Sequence, residues 1–344
     1  MDKLLSIIVP SYNMEKYLPK CLGSLIVDDA DMLSRLDVIA VNDGSKDRTS
    51  EIAHGFEAKY PGVFRVIDKA NGNYGSCINA ALPTAKGRFV KILDADDTYD
   101  TAAFGRYLQE LANLPPTTDM VMNDWVQVDE RGRVNESTTY PLPTDVPFGN
   151  EELVRHVHWM AMHAVAFRTS LLWKIGYVQT EGISYTDLEW VYLPVAFAGE
   201  IRYVKQSVYR HLVGRSGQTV ERTTVIKNFW MQDKIFNKML KQYDEVSCSC
   251  GAKAYLEYQL KGMFAACFNR HSMATCGLQL DDYLKDVRQK ISAYAFLSDK
   301  MRSMAIFARM PFRFHYADFV LRHPSFARPV LFLVKGYVRL RSKG

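Results

Sequence analysis

Residues 4–9 read LLSIIV, an apolar run rich in β-branched side chains that meets Pro10. Apolar on both faces and too short for a helix, it predicts a buried parallel strand. Helical spacing follows over 17–26, a second strand at 37–41 (DVIAV), and helical spacing again over 48–60. This βαβα alternation is the mark of an α/β fold with helices flanking a mostly parallel sheet. Residues 64–67 predict a third strand, 75–84 a helix, and 88–93 (RFVKIL) a fourth strand that runs straight into Asp94-Ala95-Asp96-Asp97.

Beyond it the pattern predicts a helix over 101–114 and strands over 119–128 and 134–140 around the turn Glu130-Arg131-Gly132. A loop at 141–149, a helix from 151, a strand at 164–168, a short helix at 171–175, one helix over 186–198 and a last strand at 201–209 complete this part. From Thr224 only long helical patterns remain, at 225–243, 252–270 and 280–296. The expected architecture is a Rossmann-like α/β domain over 1–220 and a smaller α-helical region over 221–344.

With 344 residues, 48% of them hydrophobic, the chain can bury a substantial core, which excludes disordered and collagen-like classes. The net charge of +5 hides a split, because 301–344 carries nine Lys or Arg against Asp318 alone, +8, and leaves −3 for the rest. That tail interleaves cations with Met304, Ile306, Phe307, Phe312, Phe314, Phe319, Phe326 and Phe332. The mixture suits an amphipathic helix on an anionic membrane surface better than a nucleic-acid arm, although such a stripe also packs well against the protein's own helices. No apolar stretch approaches the roughly 18 residues of a membrane span. Six Cys in so long a chain, with no charged-then-apolar leader, give a cytoplasmic expectation with at most peripheral membrane contact.

Asp43 and Asp94 to Asp97 follow predicted strands, and in open α/β sheets ligands bind outside the strands' carboxyl ends. Carboxylates held there suit a hard divalent cation, Mn2+ or Mg2+, that neutralises a diphosphate leaving group. A dinucleotide-binding fingerprint is missing, since Pro10-Ser11-Tyr12-Asn13 has no glycine. His156, His158 and His163, like Cys248 and Cys250, lack the complete ligand set of a zinc site.

An ordered series of motifs resembles the family 2 glycosyltransferases of GT-A fold across roughly 4–220: Ile7-Ile8-Val9-Pro10-Ser11-Tyr12-Asn13, Val41-Asn42-Asp43-Gly44-Ser45, Asn71-Gly72-x-x-Gly75 leading to Asn79, and Ile92-Leu93-Asp94-Ala95-Asp96-Asp97. Tyr185-Thr186-Asp187, Tyr209-Arg210-His211 and Gly214-Arg215-Ser216 continue it. The resemblance implies an inverting transfer from a nucleoside-diphosphate sugar, a UDP-sugar by preference, to a saccharide or lipid-linked saccharide acceptor. It implies that Pro10, Tyr12, Asp43 and Asn71 line the nucleoside pocket, that Asp94 contacts the ribose or the outer waters around the metal, and that Asp96 ligates the metal. Asp187 would be the catalytic base, with Glu189 the alternative, and an Asp of ordinary pKa would serve. Arg215 and Ser216 would close on the diphosphate, and His163 and Trp159 lie where related chains build the acceptor pocket. The family often has Glu where this chain has Thr186. A non-catalytic module that binds a nucleotide sugar or glycan is the competing reading.

Overall fold

The computed structural model describes residues 2–157, 159–215, 224, 228–274, 278–304 and 314–341. The chain divides into two compact units, Met1–Gln218 with Val246–Tyr255, and Thr219–Glu245 with Leu256–Gly344.

The first unit is built on a nine-stranded sheet. Strands β1 (Leu5–Ser11), β2 (Leu36–Asn42), β3 (Phe64–Asp68) and β4 (Phe89–Ile92) lie side by side in the order β3-β2-β1-β4, all parallel. Every residue of β2 and β4 is buried, as a strand covered on both faces requires. β1 continues through Pro10, which pairs with Val41 on β2, whereas β4 accompanies β1 only as far as Ile8. A proline nitrogen is tolerated there because the strand is an edge on that side.

The remaining strands are β5 (Thr98–Tyr99), β6 (Met120–Val128), β7 (Val134–Thr138), β8 (Val165–Arg168) and β9 (Ile201–Leu212). They extend the sheet as β4-β8-β6-β9-β5, with β7 on β6. β8 runs antiparallel to β4 and β6, whereas β6 and β9 are parallel, so the sheet is mixed. The consequence for the site is that β9 ends at Leu212 beside the turn following β4, since Leu212 N donates to Asp97 at 2.6 Å.

Two expectations change. Thr98–Tyr99 is a strand too short to show any period, formed only because it pairs with Arg210 and Tyr209 of β9. The single helix expected over 186–198 is two, Asp187–Trp190 and Leu193–Phe197, because Pro194 has no N–H for the preceding turn and instead sits in the first turn of a new helix.

The second unit is helical. Phe229–Glu245, Leu278–Ala293, Ala295–Ser303, Tyr316–Arg322 and Ala327–Arg341 accompany the distal part of Cys250–Ala274. Ile235, Phe236, Met239, Leu260, Phe264, Leu284 and Val287 form its core, with Phe236 stacked on Phe264 at 5.5 Å. No helix among the described residues is long and apolar enough to cross a membrane.

Candidate active site

The turns after β1 and β2 interlock. Asn13, in the left-handed region at φ 54°, donates its backbone N–H to Ser45 Oγ at 3.0 Å, and its side-chain oxygen accepts from Lys46 N at 2.8 Å. Tyr12 stands beside them with 45% of its surface exposed. Asp43 is buried and organises the next turn: Oδ1 accepts from Lys69 Nζ at 2.7 Å and Gly72 N at 2.9 Å, and Oδ2 from Asn73 N at 2.9 Å. Asn71 Nδ2 returns a hydrogen bond to the Asp43 carbonyl at 2.9 Å. The Cys77 thiol also hydrogen-bonds to this carboxylate, so its roughly four lone-pair sites are largely engaged.

The motif Asn71-Gly72-x-x-Gly75…Asn79 has a second task. A Cβ on Gly75 would lie 2.2 Å from the Thr180 carbonyl oxygen, so glycine alone lets helix Asn73–Ala81 approach that segment. Asn79 grips the same segment, donating to Gln179 O and Glu181 Oε1 and accepting from Gln179 N at 2.9 Å. Gln179 Oε1 in turn accepts from Thr186 Oγ1 at 3.1 Å. Thr186 therefore anchors the turn leading to Asp187. Tyr185 within that turn has φ 69°, a strained conformation of the sort found at functional sites.

At the end of β4, the carboxylates crowd together. Asp94 Oδ1 accepts from Tyr74 OH at 2.8 Å, and its amide donates to Tyr209 OH at 3.1 Å. Asp97 is buried and caps no helix: it accepts from Leu212 N, from Tyr209 OH at 2.7 Å, and lies 3.1 Å from His211 Nδ1. Burial, then the charges of Asp97, Asp96 and Asp187, push the Asp94 pKa well above the usual carboxylate range. Asp187 is also raised, first by burial and partly offset by the amides of Asp187 and Leu188, which corrects the expectation of an ordinary pKa. Burial alone would lower His211, but its hydrogen bond to Asp97 and the surrounding acids raise it.

Asp94, Asp97 and His163 each offer a ligand atom, all within 4.8 Å of one another. Burial holds His163 neutral, and its Nδ1 has no hydrogen-bond partner among the described residues. Lys91, fully buried on β4, fixes the turn carrying it by donating to the His163 carbonyl and Asn123 Oδ1, both at 2.8 Å. The rings of Tyr209 and His211 flank His163 at 4.2 and 4.6 Å. Trp125 packs edge-on against His163, and the 59%-exposed Trp159 packs edge-on against Trp125.

Asp96 is outside that trio and pairs with Arg215, whose Nε is 2.6 Å from Asp96 Oδ2. A cavity of about 260 Å³ beside it is lined by Lys16, Tyr17, Lys20, Asp96, Thr98 and Arg210. Ser216 lies outside the described residues. Glu189, the alternative base, is buried and accepts from Thr180 N at 3.1 Å.

Residues 6–176, about half of the chain, match the profile of glycosyl transferase family 2. The chain belongs to that family. The family 2 chain is 40% identical over 110 residues to the uncharacterized glycosyltransferase EpsJ of Bacillus subtilis, 32% of this chain and 31% of that one. It thus spans about a third of that relative's length. Among solved structures, TarS of S. aureus in complex with UDP-GlcNAc shares the GT-A fold, with a TM-score of 0.58 at 18% identity over 98% of this chain and 92% of that one. The mannosyltransferase PcManGT of Pyrobaculum calidifontis, in complex with GDP-Man and Mn2+, has a TM-score of 0.50 at 16% identity over 86% and 82%.

The sequence assigns no role to Tyr74 or Lys91, and Tyr209 and His211 enter only as members of the motif Tyr209-Arg210-His211. Nothing in their spacing announces them, because each reaches the site through a long-range strand pairing or a helix approach.

Proposed function

We propose that this protein transfers a glycosyl group, with inversion, from a nucleoside-diphosphate sugar, a UDP-sugar by preference, to a hydroxyl of a saccharide or lipid-linked saccharide. The observation that carries the reading is the convergence of Asp187 on the Asp94 cluster, where the charges of both residues act on the Tyr74 hydroxyl. A base from one element facing a cation-seeking acidic cluster from another is what displacement of a diphosphate needs.

Pro10, Tyr12, Asp43 and Asn71 line the nucleoside pocket, with the Asp43 carboxylate facing the base. Asp94 meets the ribose or metal-bound water. The neutral His163 with Asp94 and Asp97 fits a divalent cation, with Asp96 joining when Arg215 turns to the diphosphate; Mn2+ suits an imidazole better than Mg2+. When bound, the cation neutralises charge on the departing diphosphate. The Asp187 carboxylate takes the acceptor hydroxyl proton as its oxygen attacks the anomeric carbon. The bond to the β-phosphate oxygen breaks, and that oxygen keeps the electron pair. Attack opposite the leaving group inverts the anomeric centre. Arg215 and Ser216 hold the diphosphate, the former in bidentate fashion, and the basic C-terminal segment meets an anionic membrane.

Calorimetry with UDP and GDP, with Mn2+ and with EDTA, tests the donor site. The reading requires binding that weakens at least about tenfold in EDTA and in Asp94→Asn. Equal affinity in all three conditions would remove the metal from the proposal.

A further inference from the structure

Helix Ala327–Arg341 buries Ala327, Val330, Leu331 and Val334, spaced three and four apart on one side. Its other side keeps two large apolar side chains out: Phe332 is 75% exposed and Leu333 67% exposed, with Phe326 just before the helix at 58%. One exposed apolar residue needs no explanation, but three within residues 326–333 mark a surface that something covers.

Their neighbours say what kind of surface it is. Arg328 and Lys335 stand four residues before and three after Phe332, so they share its side of the helix, and Arg322 ends the preceding helix Tyr316–Arg322. Arg322 and Arg328 pair with Asp318 and Asp281 at 2.8 and 2.9 Å, both in exposed pairs that are weak in water and leave the guanidinium groups accessible. Segment 301–344 retains its charge of +8. A second copy of this chain would set like charge against like. Anionic headgroups above an acyl layer complement both features at once.

We infer that this face docks on an anionic lipid bilayer, Phe326, Phe332 and Leu333 entering the acyl boundary while Arg322, Arg328 and Lys335 meet the headgroup phosphates. The inference deepens the proposed contact with a membrane that carries a lipid-linked acceptor, and its chemistry is independent of the sugar-transfer step.

Co-sedimentation of the full chain with phosphatidylcholine vesicles, with and without phosphatidylglycerol, tests it. The wild type should sediment with the anionic vesicles alone and be released as salt approaches about 1 M, where the Debye length is roughly 3 Å. Phe332→Ser with Leu333→Ser alters only exposed side chains and should lower the partition at least about tenfold, while UDP affinity stays unchanged. Lys335→Gln should lower it less and reduce its salt dependence. Failure of the wild type to sediment, equal sedimentation of the serine variant, or a change in oligomeric state by light scattering in that variant would each overturn the inference. UDP affinity in the same samples reports separately on the donor site.

Discussion

Arg215 Nε lies 2.6 Å from Asp96 Oδ2, and the same guanidinium sits 5.3 Å from the centre of the Tyr17 ring. A side chain from beyond β9 thus places its positive charge on the acidic turn that ends β4. Within a group of Asp94, Asp96, Asp97 and Asp187, this offsets part of the mutual repulsion that raises Asp94.

Removing that charge should have opposite effects on the two ligands. Arg215→Gln is expected to raise affinity for Mn2+ alone several-fold, because one competing cation has gone, and to weaken UDP binding about tenfold, because a charge-assisted phosphate contact is lost. Titrations of Mn2+ by electron paramagnetic resonance and of UDP by calorimetry measure both. Parallel changes would show that Arg215 supports the fold of the turn rather than exchanging between partners.

Asp187→Asn should lower kcat about a hundredfold or more with donor affinity nearly unchanged, the signature of a lost general base. Glu189→Gln should instead lower stability, because the buried Glu189 carboxylate holds the Thr180 amide. Since the folded pKa of Asp187 is raised, activity should fall as pH drops through that raised value, an acid limb above the ordinary Asp value of about 3.9. An acid limb at or below 3.9 would place the base elsewhere.

The Asp94 cluster costs stability at neutral pH. Its raised folded pKa means the native state holds the proton more tightly than the unfolded chain. The resulting stabilisation is complete below about 3.9 and is lost as pH rises through the folded value. Metal-free Asp94→Asn should therefore melt above the wild type at pH 7 and lose that advantage in acid. Thermal unfolding in EDTA across pH measures it, and a variant that melts lower at pH 7 would contradict the sign.

Gly75→Ala tests the clamp on the segment preceding Asp187. The added methyl would meet the Thr180 carbonyl, so the expected cost is about 1–3 kcal/mol, with kcat reduced because the Gln179–Thr186 contact shifts. Calorimetric melting and steady-state kinetics report the two effects. An unaltered Tm would show that the segment yields freely.

Much of the α/β core was legible because β1, β2 and β4 are mainly apolar runs, each interrupted by a single polar residue (Ser6, Asp37, Lys91), closed by turn residues, with Asp43 and Asp94 to Asp97 just after them. β5 was not, since two residues carry no period and the strand exists only through pairing with Tyr209 and Arg210. The role of Asp97 was hidden for the same reason: its partners Tyr209, His211 and Leu212 lie more than a hundred residues away along the chain. The Thr186 departure from the family pattern makes sense only once Gln179 is seen beside it. In the C-terminal segment, hydrophobic spacing identified an amphipathic helix but not which apolar residues turn inward: Val330, Leu331 and Val334 do, and Phe332 and Leu333 do not.

Donor turnover is read from release of nucleoside diphosphate from a panel of UDP- and GDP-sugars, with Mn2+ and with EDTA, by the wild type and Asp187→Asn. Release from at least one sugar nucleotide in Mn2+, abolished by EDTA and reduced about a hundredfold or more in the variant, is the expected result. Tight binding of the nucleotide sugar with no release by the wild type, given a mixture of saccharide and lipid-linked acceptors, would contradict it and leave a module that binds without transferring.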